Sequence, residues 1–391
     1  MTAGVFPSKG RKVNSYKIPF NKPKLVGAEL RYIQAAIQEG HISGDGPYTK
    51  RCEAFLEKEL GVARVLLTTS CTHALEMAAL LLDIVPGDEV IVPSFAFVST
   101  VNAFVLRGAR PVFVDIRPDT LNLDEKLLEK LITPRTKVIV PVHYAGVACE
   151  MDEIISVSGR HRIPVVEDNA HGLFSRYQGR YTGTFGVLAT QSFHETKNFT
   201  CGEGGALLIN DPQLLERALV LRDKGTNRNR FFRGQVDKYT WVDLGSSYVA
   251  SDLLAAFLYA QLEAREQIQS AREHIWRTYW RGLEAWAQQN GVRLPVVPGH
   301  CEQSYHLFYM LLPSLEQRQA LIVHLKQRGI LAVFHYVPLH LSDMGLKRSA
   351  GKQNCPVTVE MSERLLRLPF YAGISESEQA AVIEAILEFK I

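Results

Sequence analysis

From about residue 64, short apolar runs rich in β-branched residues alternate with stretches of helical spacing. The runs RVLLT (64–68), EVIVP (89–93), PVFVD (111–115), KVIVPV (137–142) and IPVVE (163–167) are apolar at consecutive positions. That is the pattern of strands buried on both faces. VLATQSF (187–193) and GGALLIN (204–210) bring the expected total to about seven strands. Between them, HALEMAALLLDI and STVNAFVLRG carry helical periodicity. Repeated strand–helix alternation predicts an α/β fold, a mainly parallel seven-stranded sheet between helices. After residue 250 the pattern changes, and 251–286 reads as one long helix with no Gly or Pro until Gly282. Beyond it come a polar loop, a strand in YHLFYMLL, a helix, a strand in ILAVFHYV and two closing helices, a smaller α+β domain. The expected division is an irregular Pro/Lys-rich arm (1–25), a large domain (26–250), and a linking helix with a small C-terminal domain (251–391).

A chain of 391 residues with 46% hydrophobic and 22% charged residues has the composition of a globular protein, which excludes disordered and collagenous classes. The net charge of +3 leaves no nucleic-acid or membrane footprint and suits small phosphorylated ligands. Six scattered cysteines without a CxxC exclude a zinc ribbon and favour a reducing compartment. The N-terminus lacks an apolar stretch of signal-peptide length, and MAALLLDIV, the densest apolar run, is broken by Asp83. The expectation is a cytoplasmic protein with no metal site.

Ligands of open α/β sheets gather at the carboxyl ends of the strands, so the residues just past each strand carry the most information. After RVLLT comes Thr69-Ser70-Cys71-Thr72, opening the helix HALEMAALLL. Free N–H groups and small hydroxyls there suit an anion, although Ser70 or Thr72 can equally be a plain N-cap. After IPVVE comes Asp168, which can bind a cationic ring nitrogen or simply cap a helix. QSFHETKN places Lys197 four residues past an apolar strand and just before the glycine-rich CGEGG (201–205). A lysine is ordinarily a solvated surface group. One held at a sheet edge can lose its charge and form a Schiff base with an aldehyde. Lysine, acid and anion-binding helix start on one sheet form a joint signal, because pyridoxal phosphate needs all three.

The segments TSCTHALEMAALLLDI, VHYAGVACEMDEI, VVEDNAHG, SFHETKNFTCGEGG, KGTNRNRFFRGQVDKYTWVDLGSSY and SERLLRLP resemble a known family, the fold-type I pyridoxal-phosphate aminotransferases acting on nucleotide-linked keto sugars. The resemblance covers the chain after residue 18. It implies that Lys197 is the Schiff-base and acid/base residue, that Asp168 pairs with the ring nitrogen, and that Phe97 stacks on the ring. It also implies that Cys71 (through its N–H), Thr72 and Ser192 hold the phosphate, with His171 near the ring hydroxyl. Relatives often have Gln at the position of His171, and many have Asn at that of Ser247, where it reaches the neighbouring subunit's phosphate. Tyr144, His335, and Lys238 and Tyr239 of the cationic aromatic loop are implied substrate contacts. The implied activity moves the amino group of L-glutamate to C4 of dTDP-4-keto-6-deoxyglucose, in a homodimer with shared active sites. Another keto-sugar nucleotide, aminated at C3 or UDP-linked, and a non-catalytic cofactor-binding regulator are the alternatives. A dehydratase of the same fold is disfavoured, because such relatives carry His in place of the lysine.

Overall fold

The computed structural model describes residues 16–351 and 353–390, so most of the expected arm lies outside the described residues. All seven expected strands of the large domain form: β1 (Arg64–Thr68), β2 (Glu89–Pro93), β3 (Arg110–Val114), β4 (Thr136–Ile139), β5 (Val166–Asp168), β6 (Leu188–Ser192) and β7 (Gly205–Ile209). Their order across the sheet is β1-β7-β6-β5-β4-β2-β3, the β5–β4 junction being made by the parallel bridges Ile139–Val165 and Val142–Asp168. Only β7 runs antiparallel to its neighbours. This reversal matters for the site. Gly205, the first residue of β7, is paired with both Thr68 and Ser192, the last residues of β1 and β6. The amino end of β7 therefore meets the carboxyl ends of the parallel strands beside it.

Helices cover both faces because every strand residue but a few at the ends is buried. On one face α1 (Cys71–Leu81) packs Leu75, Ala78 and Leu81 against Leu66, Leu188 and Leu207. Ser70 caps this helix, accepting the His73 N–H at 3.1 Å. The next helix, α2 (Val98–Val105), starts at Phe97 directly beyond β2 and shares that layer through Ala103 and Phe104.

The long helix expected over 251–286 divides into α3 (Asp252–Glu263) and α4 (Arg265–Gln289), with Ala264 at ψ 18° between them. No glycine or proline marks the break, so local propensity gives no cue. The cause is tertiary: Ala255, Ala256, Leu258 and Leu262 pack into the large domain, whereas Ile275, Tyr279 and Leu283 pack into the small one. Arg265 is fixed at the junction by an ion pair with Glu59.

The small domain holds a three-stranded antiparallel sheet, β8 (Tyr309–Leu311), β9 (Val333–Phe334) and β10 (Leu365–Arg367), with β10 in the middle. The expected strands over 305–312 and 330–337 are thus shorter than their apolar runs. Residues 304–306 instead give their carbonyls to side chains: Asn198 donates to Ser304, and Arg272 to Tyr305 and His306. Tyr305 sits at φ 52°, which ends any strand there. Strand β10, inside SERLLRLP, shows no alternation over its three residues. Ile18 is bridged to Ile330 and buried in the small-domain core, so the described end of the arm packs with the C-terminal part of the chain. Among the described residues no helix is long and apolar enough to cross a membrane.

Candidate active site

At the carboxyl edge of β1, β5 and β6 lies a cavity of about 360 Å³, closed from the other side by the small domain. Lys197, Asp168, Cys71, Thr72, Ser192, Phe97, His171 and Tyr144 all line it. Residues far apart in the chain and expected in one site are therefore brought together.

Lys197 stands on a loop that leaves β6 and returns to β7. The Phe193 N–H donates to Gly204 O and Glu195 N–H to Gly202 O, and Gly202 turns the chain at φ +86°. Phe193 and Phe199, both buried, root the loop in the core. Lys197 at its tip is only partly shielded, and it faces the cavity. Burial lowers its pKa to about 8, helped by the Arg367 guanidinium and opposed by the Asp168 carboxylate. Burial also pushes the Cys71 thiol up, so it stays protonated and adds no charge. An amine in that range exchanges protons readily at neutral pH.

Asp168 ends β5 and is 5% exposed. Its Oδ2 accepts from the Thr100 hydroxyl at 2.7 Å and its Oδ1 from the Ala170 N–H at 3.1 Å. Both partners are neutral donors, so neither brings a cation to this side chain at the cavity floor. The start of α1 faces the same space. A Cβ added to Gly205 would stand 2.3 Å from the Cys71 nitrogen, so only glycine lets β7 approach the helix end this closely. The N–H groups of the first helical turn, with the hydroxyls of Thr72 and Ser192, form an anion cradle there. Thr72 donates to Ser99 at 2.9 Å, which ties the starts of the two helices together.

His171 stacks on His306 with ring centroids 4.1 Å apart, and burial holds both imidazoles well below their usual pKa, hence neutral. His306 Nδ1 is engaged by Asn198, but the buried His171 Nδ1 has no partner. An orphaned polar atom at a cavity wall is a place for a ligand group. Tyr144 donates to His335, which lies behind the wall, and burial keeps the Tyr144 hydroxyl protonated.

Amine, buried carboxylate, anion cradle, orphaned imidazole and the flat ring of Phe97 fit pyridoxal phosphate group by group. Four expected residues do not line the cavity, and one of them is His335, behind the wall. Lys238, Tyr239 and Ser247 are exposed on the segment between β7 and α3, outside this chain's site. Conversely, sequence reasoning missed Arg367, His306, Tyr336, Phe20 and Asn21, which all line the cavity from the small domain or the arm. Of these only Arg367 falls within a segment that carries the family resemblance, SERLLRLP.

The architecture and this constellation define a fold-type I aminotransferase. The chain belongs to the DegT/DnrJ/EryC1/StrS aminotransferase family, a pyridoxal-phosphate-dependent family whose model matches residues 23–387. It is 32% identical over 377 residues to the spore coat polysaccharide biosynthesis protein SpsC of Bacillus subtilis, covering 94% of this chain and 96% of that protein. Aminotransferase TlmJ of Streptoalloteichus hindustanus superposes with a TM-score of 0.87 at 32% identity, over 94% of this chain and 97% of that one. Spr1654 of Streptococcus pneumoniae in its PLP form gives 0.87 at 29% identity, over 95% and 98% of the two chains.

Proposed function

We propose that this enzyme transfers the amino group of L-glutamate to C4 of dTDP-4-keto-6-deoxy-D-glucose, yielding 2-oxoglutarate and dTDP-4-amino-4,6-dideoxy-D-galactose. The carrying observation is the single cavity in which Lys197, Asp168 and the start of α1 converge. Pyridoxal phosphate, when bound, supplies the aldehyde that takes up the amine and a ring that spreads negative charge from the reacting carbon. The chain's own part is positioning and proton transfer. Cys71 N–H, Thr72 and Ser192 anchor the phosphate, and the Asp168 carboxylate holds a proton on the ring nitrogen. The neutral His171 offers Nδ1 to the ring hydroxyl, while Phe97 covers a ring face. The Lys197 amine would remove the proton from the α-carbon of glutamate and later deliver one to C4 of the sugar. Both transfers come from one side, because Lys197 reaches the cavity only from its own loop. That side fixes the configuration at C4.

A nucleotide-sugar acceptor is supported by the name of the polysaccharide-biosynthesis relative and by the sequence segments that go beyond the cofactor motifs. VHYAGVACEMDEI supplies Tyr144 and SERLLRLP supplies Arg367, both in the cavity wall. The test is incubation with glutamate and a panel of keto sugars, with product masses and NMR coupling constants read out. The expected product carries an axial 4-amine on the dTDP sugar. An equatorial amine, a 3-amino product or preference for a UDP sugar would overturn the substrate assignment.

The reading includes a second copy of the chain. Lys238, Tyr239 and Ser247 lie on a surface with Phe232 67% and Trp241 75% exposed, and Phe97 at the cavity mouth is 54% exposed. A homodimer would cover these rings and bring the three polar residues to the partner's site. Mixing Lys197→Ala chains with Ser247→Arg chains should restore activity in hybrid dimers. No restoration after confirmed subunit exchange would place Ser247 outside the partner's site.

A further inference from the structure

The buried His306 has no role in the proposed transfer, yet distant parts of the chain converge on it. It stacks on His171 with ring centroids 4.1 Å apart and planes inclined by 20°. Its Nδ1 lies 2.9 Å from Oδ1 of Asn198, the residue that follows Lys197. The Asn198 amide cannot be turned round. Its other end lies 2.6 Å from the Ser304 carbonyl, which can only accept, so the amide nitrogen must face Ser304. Oδ1 therefore faces His306 and accepts, and Nδ1 of His306 must carry the proton. Burial, with His171, Lys197, Arg272 and Arg367 nearby, holds this ring neutral. A neutral ring protonated at Nδ1 has a bare Nε2, so Asn198 fixes both the tautomer and the plane of His306.

The segment that carries His306 is held in an unfavourable shape. Tyr305 sits at φ 52°, a left-handed conformation that a tyrosine rarely adopts. The buried Arg272 of α4 donates to the carbonyls of both Tyr305 and His306. The Ser304 N–H donates to the Gly146 carbonyl at 3.1 Å, and its hydroxyl to the His171 carbonyl at 2.5 Å. Strain maintained by so many partners points to a use for the shape it maintains. What that shape presents is His171. Its carbonyl is held by Ser304, one face of its ring lies on His306, and the Tyr144 ring stands edge-on at 6.0 Å. Its Nδ1 is left without a partner in the cavity wall. Because Nε2 of His306 has no proton, His306 cannot replace His171 as donor to an oxygen there.

We infer that Asn198 and His306 form a positioning pair that sets the plane of the His171 ring and so aims its Nδ1 at the ring oxygen of the cofactor. The inference rests on the placement of His171 at that oxygen and deepens it. His306 acts through His171. Since Asn198 adjoins Lys197, one loop carries the reacting amine and also sets the imidazole across the cavity.

The test uses holoenzyme carrying Asn198→Ala, His306→Ala or His306→Phe, with the absorbance of the bound cofactor titrated against pH. A donor to the ring oxygen draws charge from it and weakens its hold on the proton that this titration follows. Misaligning His171 should therefore raise the midpoint by about one pH unit in both alanine variants, roughly the worth of one neutral hydrogen bond. His306→Phe keeps a flat surface but not the bond that turns it, and should show about half that rise. The Kd for pyridoxal phosphate should rise about tenfold in His306→Ala. If His306 acts only through His171, a variant carrying both His171→Ala and His306→Ala should match His171→Ala alone in midpoint and Kd. An unmoved midpoint in His306→Ala, even with a lowered melting temperature, would leave the pair a packing feature and overturn the inference. Shifts that add in the double variant would overturn it as well. Should His306→Ala fail to fold, His306→Phe fills the same space and decides alone, by a raised midpoint or an unmoved one. A midpoint indifferent to His171→Ala would instead remove His171 from the ring oxygen, which is a failure of the site reading and not of the pair.

Discussion

Replacing Lys197 by alanine is expected to lower transamination by about 10⁴-fold or more, since the covalent partner and the proton carrier disappear together. The fold should persist, and the sign of the burial effect says why. The lysine pKa is lowered on folding, from 10.5 to about 8, because burial disfavours the charged form. The folded cofactor-free chain is therefore destabilised by this residue at neutral pH, where the amine is charged in both states. The penalty fades as pH rises from about 8 to 10.5. Lys197→Ala removes it, so the melting temperature of the cofactor-free variant at pH 7 should equal or exceed that of the parent. The same pKa sets a pH dependence: only the neutral amine attacks an aldehyde. Cofactor uptake by the wild-type chain should rise about tenfold per pH unit below 8 and level off above it. Transamination retained within tenfold, or uptake flat across that range, would remove Lys197 from its assigned role.

The parts of this site that the sequence displayed are those close to strand ends. The strands of the large domain are buried on both faces, so their apolar runs are continuous and their termini can be placed within one to three residues. Cys71, Asp168 and Ser192 follow or end such runs directly, and Lys197 trails one by a short loop. The small domain offers no such marks. Its strands are two or three residues long, and the contacts that shape residues 304–306 are side chain to backbone, from Asn198 and Arg272 over distances that no local pattern encodes. His306 reaches His171 only because that segment is held out of the strand. The Ala264 break has the same origin, one helix serving two cores. Ser247, Lys238 and Tyr239 mark the opposite limit, residues whose assigned partners belong to a second copy of the chain.

Asp168→Asn should reduce kcat by about 100- to 1,000-fold while leaving cofactor bound and stability nearly unchanged. The two roles open to this residue make different demands. As a cap it needs only an acceptor for the Ala170 N–H and the Thr100 hydroxyl, now at 3.1 and 2.7 Å. Asparagine keeps an acceptor oxygen, so a capping role loses little on substitution. As the partner of a ring nitrogen it must be an anion, because an adjacent negative charge is what keeps that nitrogen protonated and able to draw electron density from the reacting carbon. Asparagine has no charge and turns an N–H donor toward the site. The side chain is 5% exposed, so water cannot stand in for the lost charge. The absorbance of bound cofactor should shift as the ring nitrogen loses its proton, and the loss in kcat should appear with both glutamate and the keto sugar. Normal turnover in Asp168→Asn would reduce Asp168 to a helix cap and leave the electron sink without its anion.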